Sequence, residues 1–138
     1  MTPRRTVNED ETRALGRELA ASLAPSGVLL LDGDLGAGKT VLTQGLAAGL
    51  GIDPREVSSP TYTLIREHRG PRGRLIHVDL YRLAGDDVLG LGLEELLAED
   101  AVKVIEWADR LPFAVPGALR LELTRLAGGA REVRQVSN

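Results

Sequence analysis

Gly33-Asp34-Leu35-Gly36-Ala37-Gly38-Lys39-Thr40 fills every fixed position of the pattern G-x-x-x-x-G-K-[ST]. Glycines at these places let the backbone turn until successive N–H groups converge on one point. Such a nest at a helix N-terminus suits a polyanionic phosphate. Lys39 adds a mobile point charge for β- and γ-phosphates. Thr40 offers a hydroxyl to Mg²⁺, which takes oxygen ligands in octahedral geometry. The flanks agree with this reading. Gly27-Val28-Leu29-Leu30-Leu31 reads as a short buried strand, and Thr40 to Leu50 reads as a helix with Leu42, Leu46 and Leu50 on one face. Strand, loop and helix in that order predict nucleotide binding through Gly33, Gly36, Ala37, Gly38, Lys39, Thr40 and Val41.

Outward from this loop, the chain alternates helices and strands. Asn8 is placed to cap a helix that carries Leu15, Leu19 and Leu23 as one apolar stripe, with Glu11 in a box-like position. Residues 1–7 have no periodicity and read as loose. Gly51 is a natural stop after the second helix. Thr63–Arg66 and Arg74–Asp79 read as strands around the turn Gly70-Pro71-Arg72-Gly73. Asp86-Asp87 opens an expected amphipathic helix running to about Leu97. Val102–Glu106 is a short strand, Leu119–Leu123 alternates as a half-buried one, and Arg131–Val136 is expected at an edge. The expected architecture is α/β, a P-loop NTPase-like mixed β-sheet sandwiched by helices, in a single domain over residues 1–138.

Composition narrows the possible chemistry. With 138 residues and 43% hydrophobic content, one core is affordable, but Leu, Val and Ala must fill it because aromatics are 3%. A net charge of −3 gives no global field for nucleic acid, so RNA would be held by a partner. The chain has no cysteine, which removes disulfides, thiolate metal sites and a thiol nucleophile. No stretch has the length and apolarity of a signal peptide or a membrane span, so the expectation is a cytoplasmic protein with no membrane partner.

A phosphate loop alone does not hydrolyse; a carboxylate near Mg²⁺ and a means of placing water are also needed. Ligands of open α/β sheets sit beyond the carboxyl ends of strands. Asp79 follows Leu-Ile-His-Val and Glu106 follows Val-Lys-Val-Ile, so each is a strand-terminal acid and a candidate catalytic group beside Lys39. Either acid alone reads equally well as an ordinary solvated strand end; the phosphate loop in the same small domain favours the site reading for both. Thr61, in Ser58-Ser59-Pro60-Thr61, lies where hydrolases carry a γ-phosphate sensor, although a plain Ser/Pro loop is the favoured meaning of the segment by itself. His77 shares a strand face with Asp79; a satisfied strand histidine is the more common meaning than a ligand. Trp107 either stacks near the nucleotide or anchors packing. Arg66, His68, Arg69, Arg72 and Arg74, with Arg82 further on, could meet phosphates of a partner RNA, but a solvated hairpin face is the more common meaning of such a run.

Taken in order, Gly33–Thr40, Ser59-Pro60-Thr61-Tyr62-Thr63-Leu64, His77-Val78-Asp79-Leu80-Tyr81-Arg82-Leu83 and Ile105-Glu106-Trp107 resemble the TsaE (YjeE) family of small bacterial P-loop ATPases over roughly residues 8–136. The resemblance implies binding of ATP and Mg²⁺ and slow ATP hydrolysis. It implies action with TsaD and TsaB, which form threonylcarbamoyladenosine beside the tRNA anticodon, so tRNA is met through that complex. In that family hydrolysis serves turnover of the complex rather than the transfer chemistry. Carried over by position, Lys39 and Thr40 hold phosphate and Mg²⁺. Asp79 and Glu106 are the site carboxylates, with Glu106 the metal partner. Thr61 sits in the switch-like segment and Trp107 flanks the site. Glu9, Asp109 and Arg131 fall where family members approach the nucleotide. Two other readings share the loop. A small-molecule kinase needs an acceptor pocket and a mobile lid, for which little length is spare. A GTP switch needs Asn-Lys-x-Asp and D-x-x-G segments, which this chain lacks.

Overall fold

The Val28–Asp32 strand, with Leu29, Leu30 and Leu31 all at 1% exposure or less, can be buried only if both of its faces are covered. The computed structural model, which describes residues 2–34, 36–58, 64–83 and 86–137, places it at the centre of a mixed seven-stranded sheet. In chain order the strands are β1 (Arg4–Thr6), β2 (Val28–Asp32), β3 (Ile65–Gly70), β4 (Gly73–Asp79), β5 (Val102–Glu106), β6 (Leu119–Arg125) and β7 (Arg131–Val136). Their spatial order is β1-β7-β6-β2-β5-β4-β3. β6, β2, β5 and β4 run parallel; β3 at one side and β7 and β1 at the other are antiparallel to their neighbours. The α/β class and the mixed sheet expected from the sequence are what is seen.

Two helices, α1 (Glu9–Leu23) and α2 (Lys39–Gly49), cover one face. They pack on Leu29, Leu31, Leu75, Val102, Val104, Leu121 and Leu123. The short helices α3 (Asp86–Leu89) and α4 (Leu93–Leu97) cover the other face with the segment around Phe113 and Val115, over Leu30, Ile76, Val78 and Ile105. α1 begins as its sequence requires. Asn8 Oδ1 accepts from the Glu11 N–H at 2.9 Å, and Glu11 Oε1 accepts in return from the Val7 N–H at 2.8 Å. Three acids in its first turn face the positive end of the helix dipole.

Four expectations are corrected. Arg4–Thr6 is a strand, pairing Arg4 with Val133 and Thr6 with Arg131, so these three residues are not loose and β7 is not the edge. Thr6 is also tied to α1, its hydroxyl 2.7 Å from that of Thr12. The helix expected from Asp86 to Leu97 is broken in two, because Gly92 takes a left-handed φ of 70° between the halves. β3 starts only at Ile65, since Leu64 has φ 63°. Among the described residues, no helix is long and apolar enough to cross a membrane.

α1 and α2 approach closely through glycine. A Cβ on Gly45 would stand 2.0 Å from the Arg13 carbonyl oxygen, and one on Gly16 would stand 2.2 Å from that of Leu42. Gly45→Ala gains about 1 kcal/mol of helix propensity. The clash is with backbone, so no rotamer relieves it, and prising the helices apart costs about 3 kcal/mol. The variant is expected to lose about 2 kcal/mol and several degrees of Tm in thermal unfolding. Gly90→Ala, whose Cβ would meet nothing nearer than 3.7 Å, is the control and should stay within about 0.5 kcal/mol of wild type.

Candidate functional site

β2 ends at Asp32, and the next residues turn sharply into α2. Gly33, Gly36 and Gly38 have φ of 145°, 77° and 103°, values that L side chains rarely adopt. At Gly33 even the space is closed, since a Cβ would meet the Leu123 carbonyl oxygen at 2.6 Å. Gly38 caps α2 without a side-chain hydrogen bond, so the first N–H groups of the helix have no side-chain cap there. A cleft of about 290 Å³ opens on this helix start. The loop thus has the shape of an anion cradle, and each glycine in it is there for its backbone.

Lys39 is the first residue of α2 and is 5% exposed. Its Nζ donates to the Gly33 carbonyl and, at 3.1 Å, to that of Asp34, and it stands 4.2 Å from the Trp107 ring centroid. Burial lowers its pKa from the ordinary lysine value, opposed by the carboxylates of Glu106, Asp79, Asp34 and Asp109. A buried cation therefore sits over the loop, bonded to its carbonyls and favoured by the field of the surrounding acids.

Those acids follow from register. β4 and β5 are parallel, with Asp79 opposite Glu106, and Glu106 is opposite Leu31 of β2. Residues paired across a sheet share a face, so Asp79 and Glu106 both point to the α1/α2 side, where the cleft lies. They are 2% and 3% exposed, which removes the reading of solvated strand-end acids. Asp79 Oδ1 accepts from the Tyr81 N–H at 2.8 Å. Glu106 Oε2 is hydrogen-bonded to His77 Nε2, two residues before Asp79 on the same face.

The cleft also takes in most of the remaining candidates. Gly36, Ala37, Gly38, Thr40 and Val41 line it from the loop and α2, and Glu9 from the first turn of α1. Arg131, at the start of β7, lines it too and clamps the loop: its Nη2 donates to the Gly36 carbonyl at 3.0 Å. Trp107 and Tyr81 form an aromatic wall, their ring centroids 4.9 Å apart. Trp107 is held in the left-handed region at φ 59°, an uncommon conformation for a bulky residue and one that gathers at functional sites.

Two candidates, Asp109 and Gly33, line another cleft, and a third is outside the described residues. Asp109 lines a neighbouring cleft of about 530 Å³ together with Gly33. Its backbone N–H donates to Asp32 Oδ1 at 3.1 Å, and its carboxylate reaches the main site only as a field on Lys39. Thr61, with Ser59, Pro60, Tyr62 and Thr63, lies outside the described residues, as does Leu35 of the loop.

Several partners were not read from the sequence. Asp32 takes a two-pronged bond from Arg120, Nε at 2.6 Å and Nη2 at 3.1 Å, which fixes the strand end just before the loop. Nothing in the sequence joins residues so far apart. Tyr81 had a signal, since it follows a strand-end acid by two residues and could have been paired with Trp107. Asn8 and Thr12 also face the cleft; from the sequence Asn8 reads as a helix cap alone, and Thr12 carries no signal.

The donors gathered here are hydroxyl and carboxylate oxygens of Thr40, Asp79 and Glu106, a hard set that fits Mg²⁺ rather than a soft metal. Among the described residues no three His, Cys, Asp or Glu side chains form a metal cage. Mg²⁺ needs none, because it is bound through one or two carboxylates with substrate phosphates and water.

Comparison with known proteins agrees with this arrangement. Residues 6–134 match the model of the family described as threonylcarbamoyl adenosine biosynthesis protein TsaE. The chain is 42% identical over 130 residues to the tRNA threonylcarbamoyladenosine biosynthesis protein TsaE of Bacillus subtilis, covering 94% of this chain and 81% of that one. It is 43% identical over 131 residues to the protein of the same name from Streptomyces coelicolor, covering 91% and 87%. The crystal structure of Bacillus subtilis YdiB superposes with a TM-score of 0.76 at 36% identity, over 96% of this chain and 82% of that one. With the loop, the paired strand-end acids and the fold all in agreement, the chain belongs to the TsaE family, whose members are threonylcarbamoyl adenosine biosynthesis proteins.

Proposed function

We propose that this protein is a cytoplasmic P-loop ATPase of one domain that binds Mg²⁺ and ATP in the cleft at the start of α2. It hydrolyses ATP slowly, as an accessory to the TsaD–TsaB complex that forms threonylcarbamoyladenosine next to the tRNA anticodon. One observation carries the reading: a glycine-built anion cradle and two buried carboxylates from adjacent parallel strands open on the same cleft. Membership of the TsaE family supplies the pathway.

The residues divide the work by position. N–H groups from Gly36 to Thr40 receive the phosphates, and Lys39 turns its ammonium from the loop carbonyls toward the γ-phosphoryl oxygens. Thr40 and Glu106 would hold Mg²⁺, which when bound neutralises charge on the β- and γ-oxygens. Asp79, fixed by the Tyr81 N–H, orients the attacking water. Arg131 keeps the loop in shape through the Gly36 carbonyl, and Glu9, Trp107 and Tyr81 bound the space left for the rest of the nucleotide. No covalent intermediate is needed; positioned charge does the work.

The test is a reconstitution. Purified protein with Mg²⁺ should release ADP from ATP, faster than it releases GDP from GTP, and TsaD with TsaB should modify tRNA for many rounds only when it is present. Absence of ADP release would end the ATPase assignment. Repeated rounds of modification without this protein would end the accessory role.

A further inference from the structure

His77 sits where an apolar side chain is expected. It lies on β4 between Leu75 and Asp79 on the α1/α2 side, its register partner on β5 is Val104, and it is 0% exposed. Burying an imidazole there costs free energy unless both nitrogens find partners. Nε2 bonds Glu106 Oε2, but Nδ1 has no partner among the described residues. A packing role alone would favour Leu or Val at this place. The polar ring is kept for one bond, and that bond goes to a carboxylate that is itself buried and lines the cleft. With Nδ1 unpartnered, the proton belongs on Nε2, where the carboxylate accepts it.

We propose that His77 is the positioning residue of Glu106: it holds the carboxylate in one orientation toward the metal–nucleotide position and keeps it ready to ligate before ligand arrives. This rests on the functional reading above, in which Glu106 holds Mg²⁺. Partners behind a ligand commonly change metal affinity or activity by about 10- to 100-fold when removed. A Glu106 free to rotate must be ordered during binding, and that cost appears in metal affinity and in kcat rather than in the grip on the nucleotide.

The experiment compares His77→Leu, which fills the space without a donor, His77→Gln, whose amide reaches about as far as Nε2, and His77→Asn, whose amide stops short. Trp107, the single tryptophan, directly follows Glu106, so its fluorescence reports Mg²⁺ titrated onto the protein–ADP complex. Folding is checked by thermal unfolding. His77→Leu should need about 10-fold more Mg²⁺ and lose about 10- to 100-fold in kcat, with metal-free ADP affinity within about 2-fold of wild type. His77→Gln should recover most of both losses, and His77→Asn, which stands in if the leucine variant does not fold, should not. Wild-type Mg²⁺ midpoints and kcat in the donor-less variants, or equal losses in Gln and Asn, would overturn the positioning role while leaving the functional reading intact. A wild-type protein whose fluorescence ignores Mg²⁺ in the presence of ADP would overturn the functional reading, and this inference with it.

Discussion

Lys39→Ala is expected to lower ATP turnover by at least about 10²-fold while leaving the melting temperature unchanged or raised. The first half follows from charge. Positive charge aimed at the transferred phosphoryl group stabilises the transition state in a water-poor site, and single donors of this kind are worth two to three powers of ten. The second half follows from the direction of the Lys39 pKa, which burial holds below the ordinary lysine value despite four nearby carboxylates. A lysine with a depressed folded pKa destabilises the fold at neutral pH by keeping its proton. That penalty is fully present below the folded pKa and is lifted as pH rises from there to the ordinary value. Alanine removes the desolvated cation, and with it the penalty. Against this stand the lost bonds to the Gly33 and Asp34 carbonyls, which belong to a loop that can turn to water. Steady-state ADP release and a thermal melt of the same preparation check both halves. Near wild-type turnover would remove Lys39 from the chemistry. A large fall in Tm would show the ammonium to be a structural strut instead of a functional charge held at a cost in stability.

The parts of this molecule that could be read from sequence are those dictated locally. The loop from Gly33 to Thr40 announces itself because glycine is demanded at fixed steps, and φ at three of its glycines is positive as the turn requires. α1 was legible from the Asn8 cap and the Leu15, Leu19 and Leu23 spacing, and it spans Glu9–Leu23. Asp79 and Glu106 were legible as acids after apolar runs, because a parallel sheet puts such residues at its carboxyl edge. What depended on distant pairing was not legible. Arg4-Arg5-Thr6 has no apolar alternation, and it becomes a strand only because β7 offers it free backbone groups from the far end of the chain. The break at Gly92 turns on a single left-handed residue inside a stretch whose leucines fit a continuous helix. The Asp32–Arg120 bond and the His77–Glu106 bond join residues whose separation in sequence carries no signal; register alone brings them together. Arg131 carries no local signal beyond the family resemblance, and its contact with the Gly36 carbonyl supplies the physical reason for its place.

Glu106→Gln and Glu106→Ala should separate charge from shape at the other pole of the site. Glutamine is isosteric, and its carbonyl oxygen still accepts from His77 Nε2, so folding should be close to wild type. Its turnover should nevertheless fall by at least about 10²-fold, because a neutral oxygen is a poor ligand for Mg²⁺ and no longer balances Lys39. Alanine should lose as much turnover and also stability. It leaves the Nε2–H of His77, which is 0% exposed, without an acceptor, at a cost of about 1–3 kcal/mol that a thermal melt reads as a drop of several degrees. The two acidic-site variants also act on Lys39. Glu106 is the largest of the carboxylate influences raising its pKa against burial, so either change should push that pKa lower still. An NMR titration of the Lys39 ammonium in Glu106→Gln should show the shift. If the glutamine variant turned over ATP at the wild-type rate, neither the metal role nor the coupling to Lys39 would stand, and the paired carboxylates would reduce to Asp79 acting alone.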